Sequence, residues 1–331
     1  MSGGRGASAA ATAGVPVEAQ ESGPSRQNMS ESGRLRRITG CVLTRLPPPL
    51  PSTVVLGDAH LPMLSHAIVT AAGSTPTRAC LVLHGILGSK TNWRSLARRF
   101  AEARPDWAFV LVDLREHGAS QGLPPPHSLA AAARDLTELC AALTLPVRGV
   151  LGHSFGAKVG LSFAGETPSL THLIVVDANP GARPDRRGSE ASLSALDTLE
   201  AIGRSWPTRE AFLAAVMADG HDRSMAAWLA MNLEHAPDGF RLRIDVASIR
   251  SLLDGYFVAD LWSVVESSPP QRRTTFILGG ASGVMDPAEL ARLDAVAARG
   301  GCEVVVVPGA GHWVHVDAPD ATAAAVISAL R

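Results

Sequence analysis

A serine flanked by glycines is the feature of this sequence that points most directly to chemistry. Residues 152–156 read Gly-His-Ser-Phe-Gly, with Ser154 at the centre, and they directly follow the apolar run 147–151. A G-x-S-x-G pattern between a strand and a helix places the serine on a sharp, strained turn with an exposed hydroxyl. The glycines let the strand and the helix approach closely. The pattern therefore predicts that Ser154 is the nucleophile of an acyl-transfer reaction.

A serine hydroxyl is a weak nucleophile at neutral pH and needs an adjacent base. The sequence offers His312, in a Gly-Ala-Gly-His loop that follows the apolar run 302–307. His312 follows Ser154 in the sequence and lies near the end of the chain. This is the order of nucleophile and base expected for a serine on a strand–turn–helix motif. His84 and His153 stand beside glycines at predicted strand ends, which favours a supporting role, and His315 is a nearby alternative. We predict that His312 is the base.

These residues need a scaffold, and the sequence predicts one of class α/β. Apolar runs rich in Val, Ile and Leu alternate with helical patterns, which indicates a mostly parallel, twisted sheet covered by helices on both faces. The predicted strands are 80–84, 108–114, 147–151, 172–177, 274–278 and 302–307, preceded by a hairpin of 54–56 and 63–70. The predicted helices are 93–103, 128–143, 155–164, 287–298 and 318–330.

The alternation of strands and helices is interrupted once. Residues 179–270 contain helical segments and loops but no convincing strand, so we expect a helical cap inserted between a core of 53–178 and 271–331. Large side chains of this segment could form the wall of a substrate pocket, although most are expected to pack between helices. They are Trp206, Phe212, Met217, Trp228, Met231, Tyr256, Phe257 and Trp262.

The first part of the chain, residues 1–52, differs from the rest. Residues 1–33 are rich in Gly, Ser and Ala, residues 34–45 are basic, and residues 46–51 are rich in proline. Such a composition predicts a disordered extension or an organellar targeting segment, followed by a stiff linker. A cytoplasmic location and import into a mitochondrion or plastid both stay open.

Composition narrows the partners. The net charge is −1, which disfavours nucleic acid or an anionic membrane as the main ligand. No apolar run approaches the roughly 18 residues of a membrane span, so no integral membrane segment is expected. We expect no metal and no cofactor, since neither metal-ligand spacing nor a dinucleotide-binding G-x-G-x-x-G is present. The oligomeric state stays open. The four cysteines are scattered: Cys41, Cys80, Cys140 and Cys302.

Four segments together resemble the α/β-hydrolase superfamily. They are Leu-His-Gly-Ile-Leu-Gly-Ser at 83–89, Val-Asp-Leu-Arg-Glu-His-Gly-Ala-Ser at 112–120, the serine turn at 152–156, and Gly-Ala-Gly-His-Trp at 309–313. In detail they are similar to the esterases related to abhydrolase domain-containing protein eleven and to bacterial short-acyl esterases. The resemblance implies an α/β-hydrolase fold with a cap and a serine esterase or thioesterase activity. It also implies that the histidine of the 112–120 loop is structural.

The carboxylate that orients the base is less obvious. In most of the superfamily it follows the strand that corresponds to 274–278, but here Ser282 occupies that position. Strand 172–176 instead ends in Asp177, at the carboxyl edge where ligands bind in open α/β sheets. In the similar short-acyl esterases an aspartate at the matching place is the acid. We predict Asp177, with Asp286 second and Asp245 third.

The backbone N–H groups of Phe155 and Ile86 are predicted to form the oxyanion hole. Asp113 and Arg115 are expected to form a structural ion pair near the site, and the charge of Lys158 is expected to be structural.

The predicted function is hydrolysis of a small-molecule carboxylic ester or thioester with a short or medium acyl chain, through an acyl-serine. Two alternatives stay open: a hydrolase of carbon–carbon bonds with the same triad, and a receptor or partner-binding protein on this fold. The substrate-binding residues are not predicted.

Overall fold

A computed structural model describes residues 63–331 of the chain. Its central element is a seven-stranded sheet, accompanied by a separate three-stranded sheet. The strands of the large sheet are β1 (His66–Val69), β2 (Arg78–Leu83), β3 (Trp107–Val112), β4 (Val147–His153), β5 (His172–Val176), β9 (Arg273–Gly279) and β10 (Glu303–Val307). Those of the small sheet are β6 (Ser205–Trp206), β7 (Leu233–Ala236) and β8 (Gly239–Leu242).

The large sheet has the strand order β1-β3-β2-β4-β5-β9-β10. Only β1 runs antiparallel to its neighbour, and the other pairs are parallel. The strand that carries the serine, β4, therefore lies in the middle, between β2 and β5. Because parallel strands end at one common edge, the segments that follow β2, β4, β5, β9 and β10 can meet there.

Helices cover both faces of the sheet. The core helices are α1 (Arg94–Ala103), α2 (Leu129–Ala142), α3 (Phe155–Glu166), α9 (Pro287–Ala298), α10 (Val314–Asp317) and α11 (Pro319–Ala329). Those between β5 and β9 are α4 (Glu190–Ala201), α5 (Arg209–Ala218), α6 (Arg223–Leu229), α7 (Val246–Val258) and α8 (Trp262–Glu266). Short 3₁₀ turns span Lys90–Trp93 and Ala230–Asn232.

The central strands are mostly apolar because they are buried on both faces. In β2, Leu81 and Leu83 belong to the apolar core that includes α2, α3 and the inserted segment. Cys80 and Val82 belong to a second core, with α1 and α11. Successive side chains of a strand point to opposite faces, so this alternation gives two cores, one on each side of the sheet.

The α/β fold class is confirmed, and the predicted core helices and strands agree with the structure within about two residues. One sequence inference was wrong: the inserted segment does contain strands, the three of the small sheet β6-β8-β7. They are only two to four residues long. Strands that short contain too few residues to show a clear alternation of apolar and polar side chains, so they leave little periodic signal.

Two predictions fall wholly or partly outside the described residues. The extension 1–52 and the first hairpin strand 54–56 lie there, while the second hairpin strand is β1, paired with β3. The boundaries of the cap stay a prediction. In the described part of the chain, no helix combines the length and the apolar character needed to cross a membrane.

Candidate active site

The turn between β4 and α3 holds Ser154 in a strained conformation. Its φ is 52° and its ψ is −117°, a region that residues other than glycine rarely adopt. A Cβ at Gly152 would collide with the backbone of Gly156, and a Cβ at Gly156 would collide with the carbonyl of His84. The two glycines thus allow β4, α3 and the end of β2 to approach each other, as the motif predicts.

Ser154, His312 and Asp177 lie together at the carboxyl edge of the sheet. His312 Nδ1 donates to Asp177 Oδ2 over 2.7 Å. Because this bond keeps the proton on Nδ1, Nε2 is free to accept, and Ser154 Oγ lies 3.0 Å from it. The Asp177 side chain is fully buried, whereas His312 is about one-third exposed at 35%. The chain of bonds can transfer the serine proton to His312 while the carboxylate holds the imidazole.

Asp177 is held by two further donors. The backbone N–H of Gly279 donates to its Oδ1 over 2.9 Å, and Ser282 Oγ donates to its Oδ2 over 2.6 Å. Hydrogen bonds from neutral donors satisfy a buried carboxylate and fix its direction. Sequence reasoning treated Ser282 only as a missing acid. In the structure this hydroxyl instead donates to the carboxylate of Asp177, which follows β5.

The two alternative acids have other partners. Asp286 Oδ1 accepts the N–H of Glu289 and caps α9, and its Oδ2 accepts from Arg187. Asp245 caps α7 by accepting from Ser248. Within residues 63–331 neither of these aspartates is hydrogen-bonded to His312.

Two backbone amides beside Ser154 are free to bind an oxyanion. The N–H of Phe155 is the first of α3, where no helical carbonyl can accept it. The N–H of Ile86 lies in the loop after β2, and both residues line the same cavity as Ser154. Within residues 63–331 neither amide donates to another protein group.

Two buried histidines fix the loop that carries Ile86. His117 Nε2 accepts the N–H of Leu87 over 3.1 Å, and His84 Nε2 accepts the N–H of Leu114 over 3.1 Å. Burial lowers the pKa of His84, and that of His117 to about 3. Both rings therefore stay neutral, which leaves the acceptor nitrogen that each bond requires.

Asp113 and Arg115 do not pair with each other, and this prediction was wrong. Asp113 forms an ion pair with Lys90 and accepts the N–H groups of Lys90 and Ala119. Arg115 instead makes two hydrogen bonds to Asp135 of α2. The two side chains are directed to different parts of the fold, Asp113 to the 3₁₀ turn that begins at Lys90 and Arg115 to α2. Both pairs are structural.

A second pair of histidines lies behind the base. His153 Nε2 donates to the carbonyl of His312 over 2.9 Å, and the rings of His153 and His315 are 4.7 Å apart. Burial lowers the pKa of His153 well below its ordinary value and that of His315 to about 4. Both stay neutral at physiological pH, so neither would repel a positive charge on His312.

The cavity beside Ser154 has a volume of about 160 Å³. Of the side chains predicted as a wall, Trp228 and Tyr256 line it, whereas Phe212, Phe257 and Trp262 are buried in the apolar core. No sequence pattern predicts the other wall residues of this cavity, since they come from separate segments. They include Arg183, Ser189, Ser192, Met225, Leu253 and Val284.

A larger cavity of about 450 Å³ lies at the opposite end of the sheet, beside the first residues of β9 and β10. It contains none of the predicted site residues, so the smaller cavity is the candidate site. In the described part of the chain, no group of three or more His, Cys, Asp or Glu side chains could hold a metal ion.

Comparison with known proteins agrees with this geometry. Residues 80–325 match the family described as the alpha/beta hydrolase family. The chain is 31% identical over 293 residues to the sn-1-specific diacylglycerol lipase ABHD11 of Mus musculus, covering 86% of each protein. It is 27% identical over 261 residues to the esterase YbfF of Escherichia coli, covering 78% of this chain and 94% of that protein. A marine microorganism esterase of known structure shares the fold, with a TM-score of 0.64, 23% identity, and coverage of 80% and 98%.

Proposed function

The chain belongs to the alpha/beta hydrolase family and is an esterase-type hydrolase, and we propose that it cleaves short-acyl carboxylic esters or thioesters through an acyl-serine intermediate. The observation that carries this proposal is the continuous chain of hydrogen bonds from Ser154 through His312 to Asp177. It links a nucleophile, a base and a buried carboxylate in the order that acyl transfer needs.

The reaction follows from the positions of these groups. Ser154 Oγ attacks the carbonyl carbon of the ester while His312 Nε2 takes its proton. The negative charge that forms on the carbonyl oxygen is stabilised by the N–H groups of Phe155 and Ile86. His312 then returns the proton to the leaving alcohol or thiol. Water, deprotonated by His312, releases the acid from the serine by the same steps.

Two observations support a short acyl chain. The cavity of about 160 Å³ is smaller than the roughly 300–1,000 Å³ of pockets that enclose drug-sized ligands. Its walls include the bulky side chains of Trp228, Tyr256 and Phe155, which leave little length beside the serine. The mouse relative is named for a diacylglycerol substrate, and glycerol esters with short acyl groups are therefore included in the proposed class.

The proposal is tested by labelling the purified protein with a fluorophosphonate and by measuring turnover of p-nitrophenyl esters from acetate to decanoate. We expect a covalent adduct at Ser154, none in Ser154→Ala, and kcat/KM highest for the acetyl to hexanoyl esters. A folded protein that neither reacts with the probe nor turns over any ester would contradict the proposal and favour a receptor. Labelling with the best turnover for decanoate would contradict only the short acyl chain.

A further inference from the structure

Lys158 is a completely buried cation one helical turn after Ser154. It lies in α3, and its Nζ donates to three backbone carbonyls: those of Gly181 at 2.7 Å, Tyr256 at 2.8 Å and Ala259 at 3.1 Å. An ammonium has three N–H donors, so each of them has a partner. In residues 63–331 Lys158 forms no ion pair with a carboxylate.

The three carbonyls belong to the two ends of the inserted segment. Gly181 follows β5 closely, where the chain leaves the sheet, and Tyr256 and Ala259 are at the end of α7, where it begins to return. The carbonyls at the C-terminus of a helix carry partial negative charge, which suits a buried cation. The ammonium also lies 4.4 Å from the centre of the Tyr256 ring, a favourable cation–π distance.

The same two ends line the cavity beside Ser154. Tyr256 is part of its wall, and its ring lies 6.2 Å from that of Phe155. Arg183, two residues after Gly181, is another wall residue, and its N–H donates to the carbonyl of Phe257. The positions of these walls relative to the nucleophile therefore depend on contacts between α3 and the inserted segment.

We propose that Lys158 is a positioning residue that holds both ends of the inserted segment on the nucleophile helix and thereby sets the width of the acyl cavity. This inference rests on the proposed function. Lys158 touches no reacting atom, and it acts through the backbone of Gly181, Tyr256 and Ala259. Loss of its donors widens the cavity and weakens ester binding, while the triad and the oxyanion hole keep their geometry.

The protonation state of Lys158 predicts that KM depends on pH, which a lysine that only stabilises the fold would not cause. Burial and, to a lesser extent, the charge of Arg183 lower the pKa of Lys158 to about 8, while Asp260 and Glu289 oppose the shift. The pKa of Tyr256 is raised to about 12, so its hydroxyl stays neutral. A neutral amine keeps two N–H donors, so one of the three carbonyls loses its partner above about pH 8.

The variant Lys158→Met keeps an unbranched side chain of nearly the same length and removes its donors. With p-nitrophenyl butyrate at pH 7 we expect KM to rise about tenfold and kcat to change less than threefold, with the preferred acyl length moving toward octanoate. Hydrogen exchange should become faster in the segments 181–183 and 256–260. In the wild type, KM should rise from pH 7.5 to 9.5, and in the variant it should stay constant over that range.

Arg272→Met is the matched control. Arg272 is also a buried cation on backbone carbonyls, those of Ala164 and Thr167, but it lies at the far end of α3 from Ser154. We expect this variant to lose thermal stability with unchanged KM and acyl preference.

Wild-type KM for butyrate in a folded Lys158→Met would overturn the inference, as would a fall in kcat alone. If the variant does not fold, a wild-type KM that is independent of pH from 7.5 to 9.5 would overturn it. A wild type without turnover or labelling would instead contradict the proposed function.

Discussion

At the residue scale, the proposed acid of the triad is Asp177, and Asp286 is the direct alternative. Two substitutions separate these candidates. Asp177→Asn replaces the acceptor of His312 Nδ1 with an amide and should reduce kcat by about 10⁴, as loss of a triad carboxylate does through the wrong imidazole tautomer. Asp286→Asn should leave kcat within about twofold, because this side chain caps α9. Kinetics with p-nitrophenyl butyrate check both, and the reverse order would contradict the assignment.

Also at the residue scale, Ser282 should contribute to the rate without being required for it. Its hydroxyl is one of three donors to Asp177, beside Gly279 and His312. A hydrogen bond to a charged group is worth about 1.5–3 kcal/mol, so Ser282→Ala should lower kcat by about 10- to 150-fold. KM should stay unchanged because Ser282 does not line the cavity. Single-turnover kinetics measure the acylation step, and an unchanged rate would show that Gly279 alone holds the carboxylate.

At the scale of elements, the close approach of α3 to β2 depends on Gly156. A Cβ there would meet the carbonyl of His84, which is backbone and cannot move aside. Gly156→Ala should therefore destabilise the protein by about 3 kcal/mol and lower kcat, because it displaces Ser154 and the Ile86 loop together. Denaturant unfolding and butyrate turnover measure the two effects.

Gly160→Ala in the same helix is the control for this prediction. A Cβ at Gly160 would approach side chains and no backbone, those of Val150 at 3.2 Å and Leu83 at 3.7 Å, and these side chains can shift. We expect a loss of about 1 kcal/mol or less, with kcat near the wild-type value. Equal effects of the two alanines would mean that the helix as a whole, and not its first turn, is sensitive.

At the scale of the whole molecule, stability should fall at mildly acidic pH. His315 has a folded pKa of about 4 against an ordinary 6.5, so the unfolded chain binds its proton first as the pH falls. The contribution of neutral His315 to the free energy of unfolding is present above about pH 6.5 and is lost progressively down to about pH 4. From pH 7 to pH 5 this costs about 2 kcal/mol of the free energy of unfolding.

The variant His315→Phe tests this contribution by denaturant unfolding at the two pH values. Phenylalanine keeps the stacking on Trp93, whose ring lies 4.5 Å from that of His315. The difference in stability between pH 7 and pH 5 should be smaller by about 2 kcal/mol than in the wild type. An equal difference in both proteins would mean that His315 is already protonated in the folded state.

The sequence by itself determined the local features of this protein. The alternation of apolar strands and helices was enough for the fold class, because strands buried on both faces are apolar along their length. The serine turn was also readable, since a strained residue between close backbones requires glycines at fixed spacing. Ser154, His312 and Asp177 could each be named because each follows a strand that ends at the same edge.

Only the tertiary structure decided which distant groups meet. Ser282 and Asp177 are 105 residues apart, and no local pattern shows that the hydroxyl of one supports the carboxylate of the other. Other contacts have the same origin: those of Asp113 with Lys90 and Ala119, the pairing of β6 with β8, and those of Lys158 with Gly181 and Ala259. They depend on how segments distant in sequence pack against each other, and such packing leaves no periodic pattern in the sequence.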